Sequence, residues 1–146
     1  MNSFDTVQTL AEILKSRSWK MASAESCTGG LVGATLTELA GSSDWFERGY
    51  ITYSNEAKIE CLEVPQELIE AYGAVSEEVA SAMAKGAQLN AGVNVAVSIT
   101  GIAGPAGGSK EKPVGTVCFG WAIRDDAVEN RVITKTLRFD GDRKQV

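Results

Sequence analysis

The sequence predicts an α/β fold: a three-layer α/β/α sandwich on a mixed, mostly parallel sheet that ends in an antiparallel hairpin. Three observations carry this. Segments of helical period alternate with short segments rich in β-branched residues, the pattern of crossover units. Two strand-like segments near the end, residues 114–123 and 131–139, follow one another with no helix between them and read as a hairpin. The length of 146 residues, 44% apolar and 23% charged, fits one domain, 1–146, with its own core.

Phe4, Val7, Leu10, Ala11 and Leu14 recur at helical spacing, so residues 3–17 form an amphipathic helix. A strand over residues 20–24 runs into Glu25-Ser26-Cys27-Thr28-Gly29-Gly30. A second helix carries Leu31, Leu36 and Leu39 and stops at Gly41 as a C-terminal cap. Residues 49–53 read as a strand, after which Ser54 or Asn55 caps a short helix containing Lys58. Pro65 opens another short helix over 66–72, and Ser76-Glu77-Glu78 starts a longer one that runs to about residue 90. A buried strand over 93–100 feeds a loop, 101–108, with four glycines in eight residues. The hairpin closes across residues 125–130, and the last seven residues look like a loop opening a helix. Trp45, Phe46 and Tyr50 cluster beside a turn, which predicts either an exposed aromatic patch and a homo-oligomer, a dimer first, or rings that simply fill the core.

Composition removes several functions. The net charge of −5 repels a phosphate backbone, so no nucleic-acid partner is expected. No apolar run reaches the roughly 18 residues that span a bilayer, and no signal-peptide pattern opens the chain. The expectation is a cytoplasmic protein without a membrane partner. Cys27, Cys61 and Cys118 lie far apart, as reduced thiols do. Most telling, the chain has 0 histidines. Ser-His-Asp and Cys-His catalysis, histidine bases and histidine-ligated metals are therefore all excluded. A hydrolase built from these residues must use lysine, a carboxylate, tyrosine or an all-oxygen metal site, and no DxDxDG loop supplies the last. Neither metal nor cofactor is expected.

Three segments could carry chemistry. At Ser26-Cys27-Thr28-Gly29-Gly30 a strand meets a helix start, where backbone N–H groups and the helix dipole suit an anion such as phosphate. The same pattern also makes an ordinary tight turn. At Tyr53-Ser54-Asn55-Glu56-Ala57-Lys58 the lysine sits one turn into a helix and projects back toward the preceding strand. Parallel strands bring their carboxyl ends to one edge, so Ser26 and Lys58 could face each other there. A lysine desolvated in a cleft loses its proton more easily and can serve as base toward a serine hydroxyl; most lysines are simply solvated helix-surface charges. At Thr100-Gly101-Ile102-Ala103-Gly104-Pro105 an irregular loop exposes backbone at the same edge, with Thr100 where strand meets loop. Cys27 is an alternative nucleophile whose helix-start position would lower its pKa, although no histidine is available as its partner.

AESCTGG, GSSDWFERGYITYSNEAK, GAVSEEVA, SITGIAGPAGGSKEKPVGTV and FDGDR, in this order, resemble the C-terminal domain family of competence-damage-inducible protein A. The resemblance runs from about residue 4 to the end. Family members continue past FDGDR into a final helix, which this chain lacks. The resemblance implies hydrolysis of nicotinamide mononucleotide to nicotinate mononucleotide and ammonia, by a metal-free serine–lysine mechanism. It places the family's serine on Ser26, its tyrosine on Tyr53, its lysine on Lys58, its loop threonine on Thr100 and its closing arginine on Arg143. Tyr53 would then relay a proton or hold the lysine, and Arg143 would clamp the phosphate and add like-charge repulsion on Lys58. Thr28, Gly29, Gly30, Asn55, Gly101 and Gly104 complete the expected substrate contacts. Which glycine turn takes the phosphate and which the oxyanion stays open. The alternative is a nucleotide-binding or regulatory module of the same fold without catalysis.

Overall fold

The computed structural model describes residues 2–125 and 128–146. Five strands, β1 Met21–Glu25, β2 Phe46–Ile51, β3 Val95–Gly101, β4 Thr116–Asp125 and β5 Val128–Arg138, form one sheet in the order β2-β1-β3-β4-β5. β1 pairs in parallel with both β2 and β3, whereas β3–β4 and β4–β5 are antiparallel. The expected mixed sheet with its terminal hairpin is thus present. Residues 126–127 of the connecting turn lie outside the described residues.

The α-helices among the described residues are α1 Ser3–Arg17, α2 Leu31–Thr37, α3 Asn55–Leu62, α4 Gln66–Tyr72 and α5 Glu77–Ala91. Strand alternation divides the core in two. Ala24 and Ala96 face one side, where Val79, Met83 and Ala87 of α5 pack with Leu62, Val64 and Ile69. Met21, Val95 and Val97 face the other side and meet Val7, Ala11 and Leu14 of α1, Leu36 of α2 and Trp45. Small residues on the α5 side let that helix approach closely. A Cβ on Gly120 would stand 2.6 Å from the Ala80 carbonyl oxygen, so the contact requires glycine.

Caps follow the sequence closely. The Ser54 hydroxyl accepts from Ala57 N at 3.0 Å and Ser76 from Val79 N at 3.2 Å, each satisfying an amide at a helix start. Two expectations need correction. The second helix ends at Thr37, and Gly41 instead opens a short 3-10 turn, Ser42–Asp44, with φ +85°. Trp45 is 0% exposed at the centre of the α1–α2 core, and Phe46 and Tyr50 pack against the two core clusters. Trp45 fills the core and the other two rings are half-buried against it, so the core-filling reading holds and these three rings form no exposed patch. At the chain's end, Asp142 Oδ1 accepts from Gln145 N at 2.9 Å while Gln145 Oε1 accepts from Asp142 N at 2.8 Å. This reciprocal pair has the form of a capping box. Among the described residues, no helix is long and apolar enough to cross a membrane.

Candidate active site

The carboxyl ends of β2, β1 and β3 lie side by side, with β1 in the middle. Ser26 leaves β1 at this edge. The β2–α3 connection flanks it on one side and the loop after β3 on the other. Backbone bonds fix the levels: Ser26 N donates to Ile99 O at 2.9 Å and Thr52 N donates to Glu25 O at 2.8 Å.

Lys58, in the first turn of α3, points back toward the helix start, as its Cα–Cβ direction dictates. Its Nζ lies 3.0 Å from Ser26 Oγ, 2.9 Å from Thr52 O, 3.1 Å from Tyr53 O and 3.4 Å from Ser54 O. The residue is 1% exposed. Desolvation pushes its pKa down from the usual 10.5, and Cys27 opposes this more weakly. Burial, not the repulsion expected from Arg143, is the leading cause of the shift. A neutral amine has two N–H donors and one lone pair. In that form its donors are met by Thr52 O and Tyr53 O, and the lone pair is free to face the Ser26 hydroxyl; protonated, it has the Ser54 carbonyl and Ser26 Oγ as further acceptors. Burial shifts the balance toward the neutral form.

A cleft of about 270 Å³ opens on this pair. It is lined by Ser26, Cys27, Tyr53, Asn55, Lys58, Thr100, Gly101, Gly104 and Arg143, together with Ala74, Val75, Ile102, Ala103, Ala106, Gly107 and Gly108. Asn55 is exposed at the start of α3. The Thr100 hydroxyl donates to Ala74 O at 2.9 Å, tying the loop before α5 to the cleft floor. A Cβ on Gly101 would stand 2.8 Å from Val117 Cγ2 and 3.0 Å from Cys27 Sγ, so glycine is needed there for close packing. Arg143 donates from Nε to Gly104 O at 2.7 Å and from Nη1 to the Tyr53 hydroxyl at 3.4 Å. The guanidinium thus stands over the glycine loop.

This geometry corrects two expectations, for the Thr28–Gly30 turn and for Cys27, and divides the role expected of Tyr53. Thr28, Gly29 and Gly30 do not line the cleft. The anion at their helix start is the protein's own: Glu25 accepts at Oε1 from Thr28 Oγ1 (2.6 Å), Gly30 N (3.2 Å) and Val32 N (2.9 Å), and at Oε2 from Gly33 N (3.0 Å). Tyr53 holds Lys58 through its backbone carbonyl, whereas its ring is 60% exposed and its hydroxyl meets Arg143. Cys27 is half-buried, and burial raises its thiol pKa instead of lowering it. It therefore stays a protonated thiol beside the serine.

The family model of the CinA C-terminal domain matches residues 4–146. The chain belongs to the CinA C-terminal domain family. Its likeness to other members is high. It is 55% identical over 133 residues to the nicotinamide-nucleotide amidohydrolase PncC of Enterobacter agglomerans, a match spanning 91% of this chain and 79% of that protein. A CinA-like protein of Syntrophobacter fumaroxidans is 53% identical over 140 residues, 95% of this chain. That match takes in only 32% of the longer protein, so this chain corresponds to about a third of it. Among solved structures, the competence damage-inducible protein A of Klebsiella pneumoniae superposes with a TM-score of 0.92 at 35% identity, covering 99% of this chain and 86% of that one. The competence/damage inducible protein CihA of Agrobacterium tumefaciens gives 0.91 at 39% identity, covering 99% and 86%.

Against this CinA-domain frame, the residue that sequence reasoning missed is Glu25. A signal was present. An acid ends the strand Met21–Glu25 and stands five to eight residues before the amides of Gly30, Val32 and Gly33. A buried carboxylate needs such donors.

Proposed function

We propose that the chain hydrolyses the carboxamide of nicotinamide mononucleotide to nicotinate mononucleotide and ammonia, with Ser26 as nucleophile and Lys58 as general base. The observation that carries this reading is the 3.0 Å contact between a buried lysine amine and a cleft-lining serine hydroxyl. The likeness, at 55% identity, to a nicotinamide-nucleotide amidohydrolase supports the substrate class.

Ser26 Oγ attacks the amide carbon as its proton passes to the Lys58 lone pair. The tetrahedral oxyanion needs preorganised donors. Ser26 N is engaged by Ile99 O, but Cys27 N, the next amide in the turn, makes no backbone–backbone hydrogen bond and is the donor assigned here. Collapse breaks the C–N bond, and the Lys58 ammonium returns its proton to the departing nitrogen, which leaves as ammonia. Water then attacks the Ser26 ester with Lys58 again as base, releasing the carboxylate and restoring the serine. Glu25 already occupies the α2 N-terminus, so the 5′-phosphate goes to the Gly104–Gly108 side of the cleft, beneath Arg143. Tyr53, in contact with Arg143, steadies the guanidinium.

Two results test this. Arg143→Ala is expected to raise KM for nicotinamide mononucleotide by about 10- to 100-fold, the worth of a charged hydrogen bond. It should scarcely change turnover of nicotinamide riboside, which lacks the phosphate and is expected to be the poorer substrate. An ammonia-release assay on both substrates reads this directly; equal losses on the two would remove Arg143 from phosphate binding. The pH profile is the second. Only the neutral lysine accepts a proton, so kcat/KM should rise with pH through a titration lying below 10.5, the direction in which burial moves Lys58. A rate that falls with pH across that range would contradict a lysine base.

A further inference from the structure

Glu25 is 1% exposed and has four hydrogen-bond donors aimed at its carboxylate, all from residues 28–33. The cap residue of α2, Gly30, has no side chain with which to satisfy the helix amides. A serine or aspartate at that position would cap the helix locally and leave the preceding turn free. Here the cap comes instead from the residue immediately before the nucleophile. The chain must wind around it, and Gly29 and Gly30 take φ +60° and +110° to do so.

We infer that Glu25 is a positioning residue for Ser26, the anchor around which the nucleophile's turn is wound. The inference rests on the reading of Ser26 as nucleophile. Before Ser26, the backbone is held by the sheet through Ser26 N to Ile99 O and Thr52 N to Glu25 O. After it, Gly29 N closes the turn on Ser26 O at 3.1 Å, and Thr28, Gly30, Val32 and Gly33 are gathered onto the carboxylate. Ser26 is therefore fixed from both sides, with its Oγ aimed at Lys58. The role also gives Thr28 a part without its lining the cleft. Its hydroxyl, 2.6 Å from Oε1, is the closest of the four donors and the first after Ser26.

The test uses the full chain with Glu25→Gln and Thr28→Val, and Ser26→Ala as reference. Folding is followed by circular dichroism and thermal melting. Ser26 reactivity is followed by the rate of modification with a fluorophosphonate, located by peptide mass spectrometry. The modified fraction counts competent sites, and the rate reports how well each one is aimed; a merely structural role would lower the fraction and leave the rate alone. Glutamine turns an N–H₂ donor toward amides that a carboxylate oxygen had accepted, so the turn must shift. The expected result for folded Glu25→Gln is a modification rate and kcat down by about 10²-fold, the usual cost of a small misplacement, with KM for nicotinamide mononucleotide within about threefold. Thr28→Val, which removes one hydroxyl and no buried charge, should move both rates the same way by about tenfold. It carries the test if Glu25→Gln fails to fold. Wild-type modification rates in a folded variant would overturn the positioning role. So would a rise in KM at unchanged kcat, which would make the turn a substrate contact. Normal turnover by Ser26→Ala would be a different failure, overturning the nucleophile assignment itself and the positioning role with it.

Discussion

Lys58→Arg is expected to reduce kcat by about 10³- to 10⁴-fold, at the upper end of what a general base contributes. A guanidinium stays protonated at any pH an enzyme tolerates and has no lone pair to accept the serine proton. It is also larger and planar, whereas the Lys58 amine sits among three carbonyl oxygens and one hydroxyl within 3.4 Å. Lys58→Met separates charge from proton transfer. It keeps an unbranched side chain of similar length but leaves the Thr52 and Tyr53 carbonyls without their donor. Both variants should still bind the nucleotide if, as proposed, Arg143 holds the phosphate across the cleft. Titration calorimetry with nicotinamide mononucleotide checks binding, and ammonia release checks turnover. Near-wild-type turnover by Lys58→Arg would make the lysine only a charge.

Ser26→Ala should have a still larger effect, on the order of 10⁵-fold or more in kcat, because removing a nucleophile ends the covalent route altogether. The cost to the fold should be small. The Ser26 hydroxyl accepts from Lys58 Nζ at 3.0 Å and donates to Tyr53 O at 3.4 Å, and the lysine keeps its carbonyl partners. The alanine variant should also lose the alkaline rise in rate described above, since Lys58 would have no proton to remove. Residual turnover with an unchanged pH profile would show that water, not Ser26, attacks the amide.

Much of this was legible in the chain before any coordinates. The helix over 3–17, the Pro65 boundary and the Ser76-Glu77-Glu78 helix start follow from local periodicity and capping, and they match α1, α4 and α5. The hairpin was legible because two strand segments had no helix between them. The absence of histidine narrowed a hydrolase's options to lysine, a carboxylate, tyrosine or an all-oxygen metal site, and the parallel strands around β1 explain how Ser26 and Lys58, 32 residues apart, come within 3.0 Å.

What stayed hidden was hidden for physical reasons. A glycine turn at a helix start looks the same whether its anion is a ligand's phosphate or a glutamate of the same chain; only the direction of the Glu25 side chain separates the two. Trp45 and Phe46 read equally as a surface patch or as core because aromatic residues beside a turn give no period from which to infer a face; Trp45 lies at the heart of the α1–α2 core. The Tyr53 hydroxyl and backbone carbonyl face different partners, Arg143 and Lys58, a division that a sequence motif cannot express.

The most direct measurement is ammonia release from nicotinamide mononucleotide by the wild-type chain and by Ser26→Ala under the same conditions, with the organic product followed by chromatography. The account predicts ammonia and nicotinate mononucleotide in equal amounts from the wild type and neither from Ser26→Ala. A folded wild-type chain that binds the nucleotide and releases no ammonia, or a Ser26→Ala variant that releases it at the wild-type rate, would contradict it.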